Sequence, residues 1–326
     1  MTSTTSPART KSKVLSGKLA LGILGVLVLL AFSLFTGVYD IFGKDDGAMM
    51  FAVTRIPRTI ALVLAGAAMA MSGLVMQLLT QNRFVEPTTT GTTEWAGLGL
   101  LTMLVFFPTA TLLAKMSVAI VFAFIGTMIF FLFLQRVSLK ASLTVPIVGI
   151  MLGSVVGAFS TFFALSTDKL QSMGIWLAGS FTSVIRGQYE VLWIVAIVAV
   201  AIYIVADRFT VAGLGEEIAT NVGLNYRQVM LLGTALIAVA TGVVTVVIGN
   251  LPFLGLIVPN IVSMVRGDDL RSNLPWVCLL GIAITTVCDL IGRTIIMPFE
   301  IPVSLILGVL GAAVFIFLLL RQRKVG

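Results

Sequence analysis

The side chains that carry most enzyme chemistry are scarce in this chain of 326 residues, which has no histidine, two cysteines, and 14 aspartates and glutamates against 21 lysines and arginines. Without imidazole there is no His-ligated metal, no His-based proton relay and no Ser-His-Asp triad. Cys278 and Cys288 fall in one apolar run, about 15 Å apart along a helix, too far to bridge; they read as packing residues. No G-x-x-x-x-G-K-[ST] run is present, so any ATP that is used is bound by another subunit. The ionisable residues that stand out are Glu94, Asp289 and Glu300, with Arg55, Arg58 and Arg293. Asp289 and Arg293 are spaced to pair across one helical turn. Groups of this kind inside apolar sequence serve ion pairing or ion pathways. The clustered acids or nucleophiles of an integral-membrane enzyme are not visible.

The elements that position these residues are long apolar runs. The chain is 58% hydrophobic and 11% charged, a composition for which the bilayer, not water, is the solvent. Apolar runs near 19–37, 57–80, 91–108, 111–135, 143–166, 189–206, 228–249, 253–266, 274–295 and 302–320 predict an all-α integral membrane protein of about ten transmembrane helices. Leu170 to Phe181 is too short to cross and is expected as a re-entrant or surface helix between spans 5 and 6. Residues 1–18 form a polar N-terminal tail, 19–322 the membrane domain and 323–326 a C-terminal end. The tail and first run imitate a signal peptide, but the run is long for one and further spans follow, so it reads as an uncleaved first helix.

The formal charge of +7 does not point to nucleic acid, because the basic residues do not cluster with interleaved aromatics. They bear on orientation. With both termini inside, most basic residues fall on inner joints, as the positive-inside rule requires, which places the chain in a cytoplasmic membrane with N- and C-termini cytoplasmic. Arg55, Arg58 and Arg293 then lie outside. Gly149, Gly153 and Gly157 line one helix face for close packing. Pro57, Pro146, Pro252, Pro259, Pro298 and Pro302 lie in or beside spans and free backbone groups that a protein-lined interior must satisfy.

Several motifs, in order along nearly the whole chain, resemble permeases for ferric siderophores and vitamin B12. They are Arg55-Ile56-Pro57-Arg58-Thr59, Gly66 through Gly73 with Met76-Gln77, Asn82 to Gly91, Trp176 to Ser180, Gly215 to Gly223, Phe253 to Pro259, Asp289 with Arg293, and Glu300-Ile301-Pro302. The resemblance implies a type II ABC importer permease fold. It also implies a permease dimer, two ABC ATPase subunits inside that bind ATP and Mg, an extracytoplasmic substrate-binding protein, and no cofactor or enzymatic activity in this chain.

Carried over residue by residue, the resemblance makes Arg55, Arg58 and Arg293 docking positions for carboxylates of the binding protein. It makes Gly215, Glu216, Glu217, Ala219 and Gly223, within coupling helices at about 210–226, the contact for the ATPase. Ala219 and Gly223, four apart, are expected to share the seating face. Asn82, Phe84, Ser142 and Asn260 are implied for the gates and path. Val258-Pro259-Asn260 and Asn82-Arg83-Phe84-Val85-Glu86-Pro87 depart from the commoner family patterns toward the branch serving catecholate-type ferric siderophores. That branch implies a heterodimer of two different permeases rather than a homodimer. Glu94 replaces a smaller residue of relatives; it lines the path, pairs with another subunit, or lies near the interface. An ion-coupled secondary transporter is the alternative reading, for which Glu94, Asp289 and Glu300 are the few candidate coupling groups.

Overall fold

The structure, a computed structural model, describes residues 17–37, 46–136, 143–267 and 269–322. In chain order the helices are α1 (Gly17–Phe35), α2 (Gly47–Met50), α3 (Ile56–Leu79), α4 (Thr92–Phe106), α5 (Leu112–Arg136), α6 (Thr144–Ser166) and α7 (Leu170–Leu177). Then follow α8 (Trp193–Ile204), α9 (Ala206–Ala212), α10 (Glu216–Asn221), α11 (Tyr226–Val247), α12 (Leu254–Arg266), α13 (Leu270–Thr294) and α14 (Val303–Gln322). A π-helical turn, Phe51–Arg55, fuses α2 to α3, and a 3-10 turn, Tyr189–Leu192, leads into α8.

Six helices are long and apolar enough to span a bilayer, and Tyr189–Ile204 with Ala206–Ala212 makes a further span bent by 63°. With the shorter apolar helices α4, α12 and α14, the described residues reproduce the ten runs expected from hydropathy. The expected short insert is α7, which ends at Leu177 rather than Phe181.

Helix α3 is the axis of the molecule and packs against α8, α11, α12 and α13. Its approach to α12 and α13 depends on glycine facing glycine. A Cβ on Gly73 would stand 2.0 Å from the Gly255 carbonyl oxygen, and one on Gly66 would stand 2.9 Å from that of Gly281. In lipid, where no hydrophobic force drives helices together, such backbone proximity supplies the packing. The Gly149 and Gly153 positions do the same against Thr89 and Gly91, whereas a Cβ on Gly157 meets nothing within 4 Å. The glycine stripe on α6 is therefore used along two of its three positions.

Prolines break the helical ladder and their orphaned carbonyls find partners. Pro259 lies inside α12 and cannot donate to the carbonyl of Gly255; Gln77 Nε2 reaches it at 3.2 Å. Pro57, at the start of α3, leaves the Val53 carbonyl, which accepts from the backbone N–H of Arg186 at 3.0 Å. Both meet the rule that unpaired backbone at membrane depth must be covered by protein.

Helices α4 and α12, with 15 and 13 residues, extend only about 20 Å each and cannot cross a hydrocarbon core of about 30 Å. The α12 N-terminus is capped from another segment. Glu86 Oε1 accepts from the backbone N–H of Phe253 at 2.7 Å and Oε2 from that of Leu256 at 3.1 Å. A carboxylate there meets the orphan donors and the positive end of the helix dipole.

Candidate functional site: two chemically distinct ends

The start of α3, the end of α13, the end of α1 and the connections around Thr182 and Glu300 meet at one end of the bundle. Arg58 Nη2 lies 2.7 Å from Asp289 Oδ1 and 2.9 Å from Glu300 Oε2. Its Nη1 donates to Glu300 Oε1 at 3.1 Å. Arg293 Nη2 stands 2.8 Å from the other Asp289 oxygen, so the expected pairing four residues apart is formed. Asp289 is fully buried, sandwiched between two guanidinium groups.

The same arginines close off α1. Arg293 Nη1 donates to the carbonyls of Ser33 at 3.1 Å and Thr36 at 2.8 Å, and Arg55 Nη1 donates to the Thr36 carbonyl. The last carbonyls of a helix lack intrahelical donors and carry the negative end of its dipole, so cations belong there. Arg55, Arg58 and Arg293 are therefore brought together at one end of the bundle. Their reach differs, however: the side chain of Arg293 is 2% exposed and that of Arg58 12%, against 25% for Glu300. The Glu300 carboxyl is pushed up by burial. Hydrogen bonds and charge from Arg58, with the Thr182 hydroxyl at 2.7 Å, outweigh this and hold it below the ordinary carboxylate range.

The other end carries α10. Gly215 precedes the helix with φ of 105°, and Gly223 follows it with φ of 83°. The N–H groups of Leu224 and Gly223 return to the carbonyls of Ala219 and Thr220 at 2.9 Å each, a glycine-terminated C-cap. Glu216 and Glu217 occupy the first turn, where the dipole favours them. The shared face expected for Ala219 and Gly223 is not formed: Ala219 is fully buried within the chain and Gly223 is exposed. Three apolar residues around the helix, Leu214, Ile218 and Val222, are exposed at 58%, 50% and 66%, beside the exposed Glu216, Glu217, Thr220 and Asn221. The signal for them was present as three apolar residues at four-residue spacing inside the most polar joint.

The residues that precede α10 border a cavity of about 310 Å³ whose walls include Gly213, Leu214, Gln81, Asn82 and Asn260. Two of the four expected path residues, Asn82 and Asn260, line it. Asn82 Oδ1 accepts from the Phe84 backbone N–H at 2.9 Å, and Asn260 Nδ2 donates to the Arg83 carbonyl at 2.8 Å. Phe84, 2% exposed, packs edge-on to Phe315 with ring centroids 5.7 Å apart. Ser142 lies outside the described residues. Glu86 and Gln77, which tie these segments together, and Glu300 at the other end were not singled out as partners by sequence reasoning.

Glu94 falls in neither end. It stands in the first turn of α4 beside a cavity of about 100 Å³.

Comparison with known proteins follows this geometry. The chain is 61% identical over 313 residues to the petrobactin import system permease protein FatD of Bacillus anthracis, covering 96% of this chain and 94% of that one. It is 42% identical to the petrobactin import system permease protein YclN of Bacillus subtilis, covering 91% and 96%. Against the ferric-anguibactin transport system permease protein FatD of Vibrio anguillarum the identity is 36%, covering 93% and 98%. A solved metal-chelate type ABC transporter in an inward-facing conformation shares the fold with a TM-score of 0.80 at 23% identity, covering 94% of this chain and 99% of that one. With the FecCD transport family matched over residues 19–321, the chain belongs to that family and is a membrane-spanning permease subunit of an ABC importer, not an enzyme.

Proposed function

We propose that the cargo is ferric petrobactin or a closely similar catecholate-type ferric siderophore, moved across the cytoplasmic membrane of a bacterium. The identities of 61% and 42% to petrobactin permeases support this choice. The chain works with a second, different permease, with ABC ATPase subunits that bind ATP and Mg, and with an extracytoplasmic binding protein. Its termini face the cytoplasm, so the ion-paired end is external and α10 internal.

The observation that supports the mechanical reading is the exposure of Leu214, Ile218 and Val222 around α10, with Leu214 also lining the cavity that reaches Asn82 and Asn260. Leu214, Ile218 and Val222 seat in the ATPase, and Glu216 and Glu217 face basic groups beside them. Ala219 anchors the helix from within, and Gly215 and Gly223 set its ends. Closure of the ATPases displaces α10 as a rigid lever. Because Leu214 shares walls with Asn82 and Asn260, the displacement reaches the segment that holds Phe84 and opens the inner mouth, with Ser142 in the corresponding joint as a second gate. No group in the chain reacts with the cargo.

At the external end the binding protein docks against Arg58 and the neighbouring Glu300, while Arg55, buried against the Thr36 carbonyl, supports them from within. Arg293 is a positioning residue there, holding Asp289 and the end of α1. Uptake of radioactive iron as ferric petrobactin by a strain lacking this gene tests the cargo: the wild-type copy restores it, whereas restoration of other ferric siderophores but not petrobactin contradicts it.

A further inference from the structure

The span that leads to α10 is bent. Tyr189–Ile204 and Ala206–Ala212 meet at 63°, and no proline or glycine lies at the break to account for the angle. A contact from outside the span bridges it. Arg271, on the first turn of α13, holds its guanidinium 5.8 Å from the ring centroid of Tyr203, which precedes the bend. The same guanidinium donates through Nη1 to Asp207 Oδ2 at 2.7 Å, on the first turn of α9 beyond the bend. One cation thus touches both arms. Its place is not explained by α13 itself, because a cation in the first turn of a helix opposes the dipole. Nor does stability explain it: the side chains of Arg271 and Asp207 are 55% and 68% exposed, and exposed pairs of this kind add little. Packing leaves part of the boundary open, since Thr210 and Gly213 on one side and Leu270 and Asn273 on the other border the cavity of about 310 Å³.

We propose that Arg271 is a positioning residue for transport, a clamp that fixes the angle between α8 and α9 and links α10 to α13. The proposal rests on the reading of α10 as the contact for the ATPase. A push on α10 reaches α9, which precedes it in the chain. With the clamp in place the bend resists, and Arg271 passes the push to α13, which packs along α3. Without the clamp the bend yields, and ATP is hydrolysed with less cargo moved. A guanidinium suits both contacts, because its face stacks on an aromatic ring while its edge meets a carboxylate.

The test uses the complete importer in proteoliposomes, with partner permease, ATPases and loaded binding protein, and reads radioactive ferric petrobactin moved per ATP hydrolysed. Arg271→Ala and Asp207→Ala are each expected to lower that ratio about five-fold or more, with the Tm of the purified chain unchanged. The double variant should be no worse than Arg271→Ala, because both changes break one contact. Arg271→Lys keeps the charge and should lose less. Should Arg271→Ala fail to fold, Asp207→Ala carries the comparison. An unchanged ratio in the single variants, or losses that add in the double variant, overturns the clamp. Ile218→Glu separates the two readings: if it uncouples while Arg271→Ala does not, the clamp alone fails, and if neither uncouples, the role of α10 falls with it.

Discussion

At the scale of single residues, Asp289 is the keystone. Two guanidinium groups converge on a fully buried carboxylate, and removing its charge leaves Arg293 uncompensated and Arg58 with Glu300 alone. Asp289→Asn is expected to cost about 3–5 kcal/mol of stability, measured by thermal or denaturant unfolding in detergent. Arg58→Lys should cost less, since it keeps the charge but loses the fork that spans Asp289 and Glu300. Equal losses would show that charge alone matters there. Glu300 adds a pH dependence. Its folded carboxyl lies below its ordinary value of 4.5, so the pair with Arg58 contributes fully above that value and its contribution is lost as the pH falls through the lower, folded value. Stability of the parent should therefore drop below about pH 4.5 relative to Glu300→Gln, and parallel profiles would refute the pairing. The Asp289–Arg293 pair was legible in the sequence because four-residue spacing is local information. Glu300 as partner of Arg58 was not, since 242 positions separate them and only the tertiary fold brings them together. Burial of the three arginines was hidden for the same reason: nothing in the sequence says that the end of α1 lies against them.

At the scale of elements, α10 and the glycine contacts make opposite demands. Ile218 is half-exposed and Ala219 fully buried. Ile218→Glu should leave folding within about 0.5 kcal/mol of the parent while sharply reducing ATP-driven uptake, an uncoupling measured by comparing transport with ATP hydrolysis in the assembled importer. Ala219→Leu should act through stability, by about 1–3 kcal/mol of overpacking. If Ile218→Glu leaves coupling intact, the exposed apolar side chains are not the lever. On α3, Gly73→Ala would drive a methyl group into the Gly255 backbone at 2.0 Å; separation of α3 from α12 should lower the unfolding temperature and reduce folded yield. The sequence made most spans legible, because twenty-residue apolar runs have one physical reading. It did not show that Ala219 is buried while Gly223 is exposed, because small residues satisfy either burial within the chain or contact with a partner, and spacing alone does not say which. Gly223 shows the same ambiguity: its positive φ ends the helix, a local reason sufficient to explain it.

At the scale of the molecule, α3 with α13 fixes a scaffold whose ends differ: one is sealed by a buried ion-pair network, the other bears the short helix α10 and, beside Leu214, a cavity that reaches Asn82 and Asn260. Half-helices α4 and α12 start within the bundle, with Glu86 bridging from the segment before α4 to the start of α12. A displacement of that segment thus bears on both. Ten apolar runs were readable from hydropathy; the bend of 63° after Ile204 was not, because Val205 and Ala206 continue the apolar run without a breaker. The whole arrangement depends on force from a partner. The decisive measurement is uptake of radioactive ferric petrobactin into proteoliposomes holding this chain with its partner permease and ATPases, loaded binding protein outside and ATP with Mg inside. Uptake should require ATP and the ATPases and should be insensitive to protonophores. Accumulation driven by an ion gradient with the ATPases omitted would contradict it.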